Sequence, residues 1–186
     1  MLAARLAELL PRDAQALDVG CGDGRIDRLI LERRPDVAIE GIDVRLRPDA
    51  QIPVSRYDGL RIPRADGEVD AVLLVDVLHH AERPEGLLRE ALRVAKRAVL
   101  VKDHTRNGIL AGPTLRLMDW VGNAPHGVAL RYDYWRESLW RETFRNLEIR
   151  PAVWERRLGL YPRPASWIFD RSLHFVALFD LTRSGG

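Results

Sequence analysis

Three glycines on alternate positions directly follow an apolar stretch near the start of the chain. The segment is Leu17-Asp18-Val19-Gly20-Cys21-Gly22-Asp23-Gly24. Glycine lacks a Cβ, so it adopts left-handed backbone angles without strain and lets a ligand approach the main chain. A strand that ends in such a turn opens a helix whose free N–H groups face the ligand. The segment therefore predicts a tight strand-to-helix turn that binds a nucleotide-like cofactor, and a turn without a ligand is the alternative.

The spacing of the glycines distinguishes between cofactors. The dinucleotide-binding fingerprint has glycines at its first, third and sixth positions. Counted from Gly20, the sixth position is Arg25, and the third glycine comes one residue earlier, at Gly24. An acid, Asp18, stands two residues before Gly20. In these features the segment resembles the class I S-adenosylmethionine (SAM) dependent methyltransferases. The Val77-Leu78-His79-His80 pattern after the fourth predicted strand resembles their type 11-like small-molecule group. The resemblance implies that SAM is the cofactor, that the loop approaches its methionine moiety, and that Asp18 helps to hold the ammonium group.

Apolar runs and helical periodicity alternate along the rest of the chain. Beside the glycine strand, the predicted strands are Val37–Asp43, Ile52–Tyr57, Val69–Val75, Ala98–Val101, Glu148–Trp154 and Arg171–Leu181. The predicted helices are 2–10, one that Pro35 ends, one from Pro84 to Arg97, and Tyr132–Leu147. Five strands alternating with helices predict right-handed crossovers and one parallel sheet with helices on both faces. We expect an α/β, Rossmann-like fold with a seven-stranded, mostly parallel sheet, and the resemblance implies an antiparallel last strand beside the fifth.

Polar residues and glycines follow the predicted strands at their carboxyl ends, where ligands bind in such sheets. Asp43 closes the second strand, where a carboxylate can accept hydrogen bonds from both ribose hydroxyls. Asp58 follows the third strand, where the resemblance implies a contact with the adenine amino group. A helix or turn cap is the alternative for Asp43, and a plain Asp-Gly turn is the alternative for Asp58. The predicted cofactor-binding residues are Asp18, Gly20, Gly22, Gly24, Asp43, Val44, Asp58, Gly59, Val75, Asp76 and His79.

Histidines are the candidates for a catalytic base. Methyl transfer to an oxygen or to a charged nitrogen needs a base, and histidine titrates near neutrality. His104, after the fifth strand, is the first candidate, with loop hydrogen bonding as its alternative role, and His126 is the second. His79 is expected to help shape the cofactor pocket, and His174, within the last strand, is expected to be structural.

Aromatic residues are concentrated in the second half of the chain. Twelve of the thirteen lie after position 119, including all five tryptophans. Trp120, Tyr132, Tyr134 and Trp135 are predicted to line a mainly apolar substrate cavity. The alternative is that they fill a gap between the sheet and an insertion. We expect residues 1–186 to form one domain, with a substrate-covering insertion at about 105–135. The expected methyl acceptor is an oxygen or nitrogen of a small, partly apolar metabolite, followed by a lipid or quinone-like molecule.

Composition excludes several other classes. The single cysteine, Cys21, cannot form an intramolecular disulfide or a multi-cysteine metal site, and it favours a reducing, cytoplasmic compartment. No apolar run has the length of a membrane span. Basic residues alternate with acids and the net charge is +2, so no nucleic-acid partner is expected. Only two of the 29 basic residues are lysines, an arginine-rich composition that favours a GC-rich bacterial genome.

Local sequence also limits the chemistry. Methylation of exocyclic base amines typically uses an Asn or Asp-Pro-Pro-aromatic motif after the fourth strand, where this chain has Asp76-Val77-Leu78-His79. No residue set shows metal-ligand spacing, so no metal is expected.

Two functions of other classes remain open. A nicotinamide-dependent oxidoreductase would share the turn and Asp43, but no Tyr-x-x-x-Lys pair occurs. A catalytically silent SAM-binding module acting through protein association is compatible with the short segment before the glycine strand. The missing part of a substrate lid would then come from the insertion or from a second subunit, as in a homodimer.

Overall fold

The chain forms one α/β sheet structure. This computed structural model describes residues 1–106, 111–116, 134–156, 158–159 and 173–182. The strands are β1 (Gln15–Val19), β2 (Ala38–Asp43), β3 (Val54–Arg56), β4 (Val69–Val75), β5 (Ala95–His104), β6 (Val153–Glu155) and β7 (His174–Asp180). The helices are α1 (Leu2–Leu9), α2 (Arg25–Leu31), α3 (Pro84–Val94), α4 (111–116) and α5 (Glu137–Asn146), with a single 3-10 turn at Leu78–His80. No helix in the described part of the chain is long and apolar enough to cross a bilayer.

The seven strands lie in the order β3-β2-β1-β4-β5-β7-β6. All neighbouring pairs among β1 to β5 are parallel. Strand β7 lies between β5 and β6 and is antiparallel to both. The predicted Rossmann-like, mostly parallel sheet with an antiparallel last strand is therefore confirmed. Strand order reverses between β1 and β4, and in open α/β sheets ligands bind at such a switch point, beyond the carboxyl ends of the strands.

Helices cover both faces of the sheet, as predicted. Neighbouring residues of β4 point to opposite faces because side chains alternate along a strand. Leu73 packs in the cluster that contains Ile30 of α2, and Leu74 packs in the cluster that contains Leu88 of α3 and Trp140 of α5. All five residues are at most 2% exposed, so each face has its own core.

The connections on either side of β3 differ from the expected alternation of strands and helices. Neither 44–53 nor 57–68 contains a helix. Ile62, which is 1% exposed, fills the core there instead. Arg93 of α3 donates hydrogen bonds to the carbonyls of Ile62 and Arg64, so side-chain bonds satisfy backbone groups that a helix would satisfy internally.

The prediction that a helix extends to Arg97 is wrong. Helix α3 ends at Val94, and β5 begins at Ala95, three residues before the predicted strand. Lys96 and Arg97 do not neutralise a helix end but donate to the carbonyls of Glu68 and Arg12. Pairing with β4 and β7 on its two sides makes β5 ten residues long, so it includes the residues predicted to follow it.

Other boundaries are shorter than predicted. Helix α5 begins at Glu137 rather than Tyr132, and residues 134–136 are not helical. Strands β3 and β7 are likewise shorter than predicted, whereas β6 starts at Val153 instead of Glu148 and ends at Glu155, one residue after the predicted end. Helix α2 ends at Leu31, and the turn that follows it replaces the last predicted helical turn. Hydrophobic periodicity continues past these ends, whereas backbone hydrogen bonding decides where each helix or strand stops.

Candidate cofactor and active site

The glycine turn has the predicted backbone. Gly20, Gly22 and Gly24 have φ angles of +76°, +63° and +70°, which side-chain-bearing residues rarely adopt. The Gly20 N–H donates to the carbonyl of Ile42 at 2.7 Å, which fixes the loop to the end of β2. The loop joins β1 directly to α2, at the strand-order reversal.

Close packing also requires glycine at two of these positions. A Cβ on Gly20 would lie 2.3 Å from Val77 Cγ2, and a Cβ on Gly24 would lie 2.5 Å from Ile52 Cγ1. Both distances are far below van der Waals contact. The backbone of the loop thus packs against Val77, which follows β4, and against Ile52, which precedes β3. This geometry fits a cofactor that approaches the main chain.

Asp43 fixes the same loop from the end of β2. Its Oδ2 accepts the Gly22 N–H at 2.9 Å, and its Oδ1 accepts the Arg45 N–H at 2.9 Å. Asp43 is half-buried. Each carboxylate oxygen can accept more than one hydrogen bond, which leaves capacity for ribose hydroxyls.

Val44 and Asp58-Gly59 lie together beyond β2 and β3. A Cβ on Gly59 would be 3.0 Å from Val44 Cγ1, and Val44 is 45% exposed. Asp58 Oδ1 accepts the N–H groups of Leu60 and Arg61 at 2.8 and 2.9 Å. These backbone bonds lower the pKa of Asp58. The Asp-Gly turn is therefore formed, and the adenine contact of Asp58 stays a prediction.

Asp18 lies beneath the loop and is 2% exposed. It interacts electrostatically with Asp27, a residue of α2 that the sequence analysis did not select. Burial, followed by the Asp27 charge, raises the pKa of Asp18 well above its usual range. Its role in holding an ammonium group stays a prediction. The Cys21 thiol packs against Gly41, and burial raises its pKa, which suits a packing role rather than a reactive one.

Four polar residues meet at the carboxyl ends of β4 and β5. They are Asp76, His79, Asp103 and His104. One side-chain oxygen or nitrogen of each residue lies within 4.8 Å of the corresponding atoms of the other three. The ring centroids of His79 and His104 are 4.8 Å apart. We call these four residues the Asp-His cluster. His104 ends β5 rather than following it, and Val75 ends β4 opposite Lys102.

Asp103 is the buried anchor of the Asp-His cluster. Its Oδ1 lies 2.6 Å from His79 Nδ1, and because a carboxylate only accepts, that nitrogen carries the proton. Its carboxylate also accepts the backbone N–H groups of Leu78 and His104 at 3.1 and 2.7 Å. Burial alone would raise the pKa of Asp103, but His79 and His104 hold it well below its usual range.

Asp76 is the more exposed carboxylate of the Asp-His cluster. Its Oδ1 is 3.3 Å from His104 Nδ1, and both of its oxygens accept from Lys102 Nζ, at 2.6 and 2.5 Å. Burial would raise its pKa, yet the charges of Lys102 and His104 lower it. Asp76 also has a φ of +53°, a strained angle for a non-glycine residue and one that is often found at functional sites.

The Asp-His cluster has the residue types of a metal site, which the sequence analysis missed. Asp76 and His104 are 28 positions apart, so only the parallel pairing of β4 and β5 brings them together. Lys102 already neutralises Asp76 with two hydrogen bonds, and a divalent cation would have to displace this ammonium. The arrangement therefore fits a proton-transfer site better than a metal centre.

Two aromatic residues predicted to contact substrate occupy different places. The Tyr134 ring lies 5.6 and 5.9 Å from the rings of His79 and His104, and its hydroxyl donates to the Leu115 carbonyl at 3.1 Å. Trp135 packs on Trp140 in the core, at 4.7 Å between ring centroids. Tyr134 thus borders the Asp-His cluster, whereas Trp135 packs against the core, and the substrate contact of both residues stays a prediction.

Three predicted site residues lie outside the described residues: Trp120, His126 and Tyr132. His174, expected to be structural, is buried in β7 with its ring 4.7 Å from that of His104. Burial, with the nearby Lys102 charge, lowers its pKa to about 3, so it stays neutral near pH 7. His174 therefore packs beside the cluster as an uncharged residue.

Comparison with known proteins agrees with this geometry. Residues 17–101 match the family model described as a methyltransferase domain, of type 11. No curated protein matches the chain. Among solved structures, a SAM dependent methyltransferase from Aquifex aeolicus is similar with a TM-score of 0.65 and 16% identity, over 96% of this chain and 88% of that one.

Two further structures have the same fold. One is the complex between the Haloferax volcanii Trm112 methyltransferase activator and a methyltransferase, with a TM-score of 0.68 and 16% identity over 96% of this chain and 88% of that one. The other is the Burkholderia thailandensis 1,6-didemethyltoxoflavin-N1-methyltransferase with bound 1,6-didemethyltoxoflavin and S-adenosylhomocysteine. Its TM-score is 0.66 at 17% identity, over 96% of this chain and 75% of that one.

These comparisons favour SAM among the cofactors that the sequence left open. The family match includes the glycine loop, β2 with Asp43, and most of β5. One similar structure is described as SAM dependent and another holds S-adenosylhomocysteine, which agrees with the prediction of SAM as cofactor. Residues 17–101 are similar to the methyltransferase-domain family, and the chain has the fold of solved SAM-dependent methyltransferases.

Proposed function

We propose that this protein transfers the methyl group of SAM to an oxygen or nitrogen of a small, partly apolar metabolite, with His104 as the general base. The observation that carries the proposal is the position of the His104 imidazole. His104 Nδ1 lies 3.3 Å from Asp76 Oδ1 and 3.6 Å from Asp103 Oδ1. The imidazole is at the carboxyl ends of the parallel strands, where the glycine loop also follows β1.

SAM, when bound, supplies a methyl group activated by the neighbouring sulfonium charge. The chain's own residues then bind and orient the reactants, which accounts for much of the rate of an in-line displacement. The Asp43 carboxylate oxygens accept from the ribose hydroxyls, and the glycine loop, which Asp43 fixes through the Gly22 N–H, lets the cofactor approach its main chain.

Proton removal from the acceptor is the second task. His104 takes the proton, and the Asp76 carboxylate at 3.3 Å stabilises the imidazolium that results. Asp103 acts as a positioning residue because it holds the His104 backbone N–H and the His79 ring. His79 is 4% exposed, so it fits the role of a buried residue that positions Asp103 better than that of a base.

The acceptor class follows from the surroundings of His104. Tyr134 presents an aromatic ring to the Asp-His cluster, and the cluster itself offers hydrogen-bonding groups beside it. Such a mixed lining suits a small molecule with an apolar body and one polar atom. The Burkholderia thailandensis enzyme, which methylates a small heterocycle at nitrogen, supports this class. A covering role for residues 105–135 belongs to the same proposal.

A second candidate is a SAM-binding module that acts through protein association. The Haloferax volcanii structure, a methyltransferase with a protein activator, favours it because a chain of this fold can work with a partner. The predicted homodimer, the cytoplasmic location and the bacterial source stay predictions.

Replacement of His104 by asparagine tests the catalytic assignment. Acceptors would be screened by transfer of radiolabelled methyl, and with an active acceptor we expect His104→Asn to lower kcat by about 10²–10⁴-fold, the usual contribution of a general base. The affinity for S-adenosylhomocysteine should stay at the wild-type value, since the imidazole is not part of the cofactor loop. Wild-type turnover in His104→Asn would overturn the assignment, and a folded wild type that methylates no acceptor of the panel would favour the protein-association candidate.

A further inference from the structure

Two carboxyl groups are buried against each other under the glycine loop. Asp18 belongs to β1 and Asp27 to the first turn of α2, so the loop of residues 20–24 connects the two elements that carry them. Asp18 is 2% exposed and Asp27 is 1% exposed. The two carboxyl groups act on each other, since the Asp27 charge, after burial, raises the pKa of Asp18. We call these two residues the buried acid pair.

Three of the four oxygens of the buried acid pair lack a hydrogen-bond donor in the described part of the chain. Among the described residues, no hydrogen bond reaches Asp18 Oδ1 or either carboxylate oxygen of Asp27. Carboxylates only accept hydrogen bonds, so two of them in contact are satisfied only when one carries a proton. An unpartnered buried carboxylate would otherwise cost several kcal/mol.

The charges around the buried acid pair are predominantly acidic. Asp43 of β2 and Asp23 of the loop act on it as negative charges. Helix α1 packs on α2, but its Arg5 pairs with Glu8 and with Glu155 of β6. The Arg47 guanidinium lies over the loop, 3.3 Å from the position of a Gly22 Cβ, and is not among the main charges acting on the pair. The Val19 backbone N–H is the one favourable dipole acting on Asp18.

The electrostatic influence of the pair extends into the loop that takes the cofactor. After burial, the charges of Asp18, Asp27 and Asp43 are what raise the pKa of the Cys21 thiol, in the middle of the loop. A cation bound on the loop would thus be stabilised by the ionised pair, at short range and in a water-poor region. The methionine moiety of the cofactor carries such a cation, its ammonium group.

We propose that the buried acid pair holds one proton in the free protein and releases it when the ammonium group of the cofactor binds at the glycine loop. Asp27 is then a second cofactor-recognition residue beside Asp18. The O–H bond within the pair breaks, the proton leaves to solvent, and no other bond or redox state changes. The inference rests on the proposed function, because it requires that the loop binds SAM or its product.

The direction of the pH dependence follows from linkage. Burial raises the pKa of Asp27 to about 6, so the pair is protonated in the free protein below that pH. A bound cation favours the ionised pair and lowers its pKa, which couples binding to proton release. The affinity for S-adenosylhomocysteine should therefore rise by about tenfold from pH 5 to pH 8 and then level off.

Calorimetry in buffers of different ionisation enthalpy measures the proton directly. S-adenosylhomocysteine would be titrated at pH 5, where the pair is mostly protonated, into the wild type, Asp27→Asn and Asp13→Asn, an exposed control with the same charge change. We expect the wild type and Asp13→Asn to release close to one proton per site, and Asp27→Asn to release none. Asp27→Asn should also lose the pH dependence of affinity.

The possible outcomes separate this inference from the proposed function. Binding by the wild type without dependence of the heat on buffer would overturn the proton coupling and leave the methyltransferase assignment intact. No binding at all would overturn the proposed function first. The wild-type measurement stands without a variant, so misfolding of Asp27→Asn would not prevent a decision.

Discussion

Replacement of Gly20 by alanine is expected to abolish cofactor binding and to lower the free energy of unfolding by about 2–4 kcal/mol. The added Cβ would lie 2.3 Å from Val77 Cγ2, and the backbone φ there is +76°. Overpacking costs about 1–3 kcal/mol, and a positive φ in a residue with a Cβ adds about 1 kcal/mol. Relief of the clash would move the loop away from β4. Urea unfolding and titration with S-adenosylhomocysteine measure the two effects.

A matched glycine separates the clash from the backbone strain. Gly67 has a φ of +56°, but a Cβ there would meet only Lys96 Cγ, at 3.6 Å. Gly67→Ala should therefore lose only about 1 kcal/mol and bind the cofactor normally. Adding Val77→Ala to Gly20→Ala should restore part of the lost stability by removing the clashing Cγ2. Equal destabilisation by Gly20→Ala and Gly67→Ala would contradict the packing account.

The second large effect is expected from Asp103→Asn, which should lower the free energy of unfolding by about 3–5 kcal/mol. Asp103 is 0% exposed and accepts hydrogen bonds from His79 Nδ1 and from the N–H groups of Leu78 and His104. An asparagine offers one oxygen in place of two and sets its NH₂ group against a donor. The melting temperature should fall by about 10 °C or more.

The pH dependence of that effect has a defined sign. Burial alone would raise the pKa of Asp103, but its imidazole neighbours lower it below the ordinary value. Its stabilising contribution is then complete above the unfolded-state pKa, about 4, and is lost as the pH falls through the folded-state pKa. The stability difference between wild type and Asp103→Asn should therefore shrink below about pH 4. A difference that is constant down to pH 2 in urea titrations would contradict the charged, hydrogen-bonded state of Asp103.

Local signals account for what the sequence predicted well. The positive φ angles of the loop follow from glycine spacing, because only glycine adopts them readily. Strand β4 matches its predicted bounds, Val69–Val75, since a strand buried on both faces is a nearly unbroken apolar run, interrupted here only by Asp70. The antiparallel β7 was implied by the family resemblance rather than by any local pattern.

Contacts between distant segments account for what the sequence did not predict. The Asp-His cluster forms because β4 and β5 pair in one register, and neither strand alone indicates it. Asp27 resembles an ordinary acid in the first turn of a helix, and only the fold places it against Asp18. The ends of β5 depend on pairing with β7, about 75 residues later, which periodicity does not show.

The most direct test of the methyltransferase assignment is calorimetric titration of S-adenosylhomocysteine into the wild type, Asp43→Ala and Asp49→Ala. Asp43 accepts the Gly22 N–H at 2.9 Å, whereas Asp49 is exposed on the loop that follows β2. The wild type and Asp49→Ala should bind one ligand each with equal affinity. Loss of the Asp43 carboxylate should weaken binding by about 10–100-fold, the value of one or two hydrogen bonds to a charged group. A folded wild type that binds no S-adenosylhomocysteine would contradict the account.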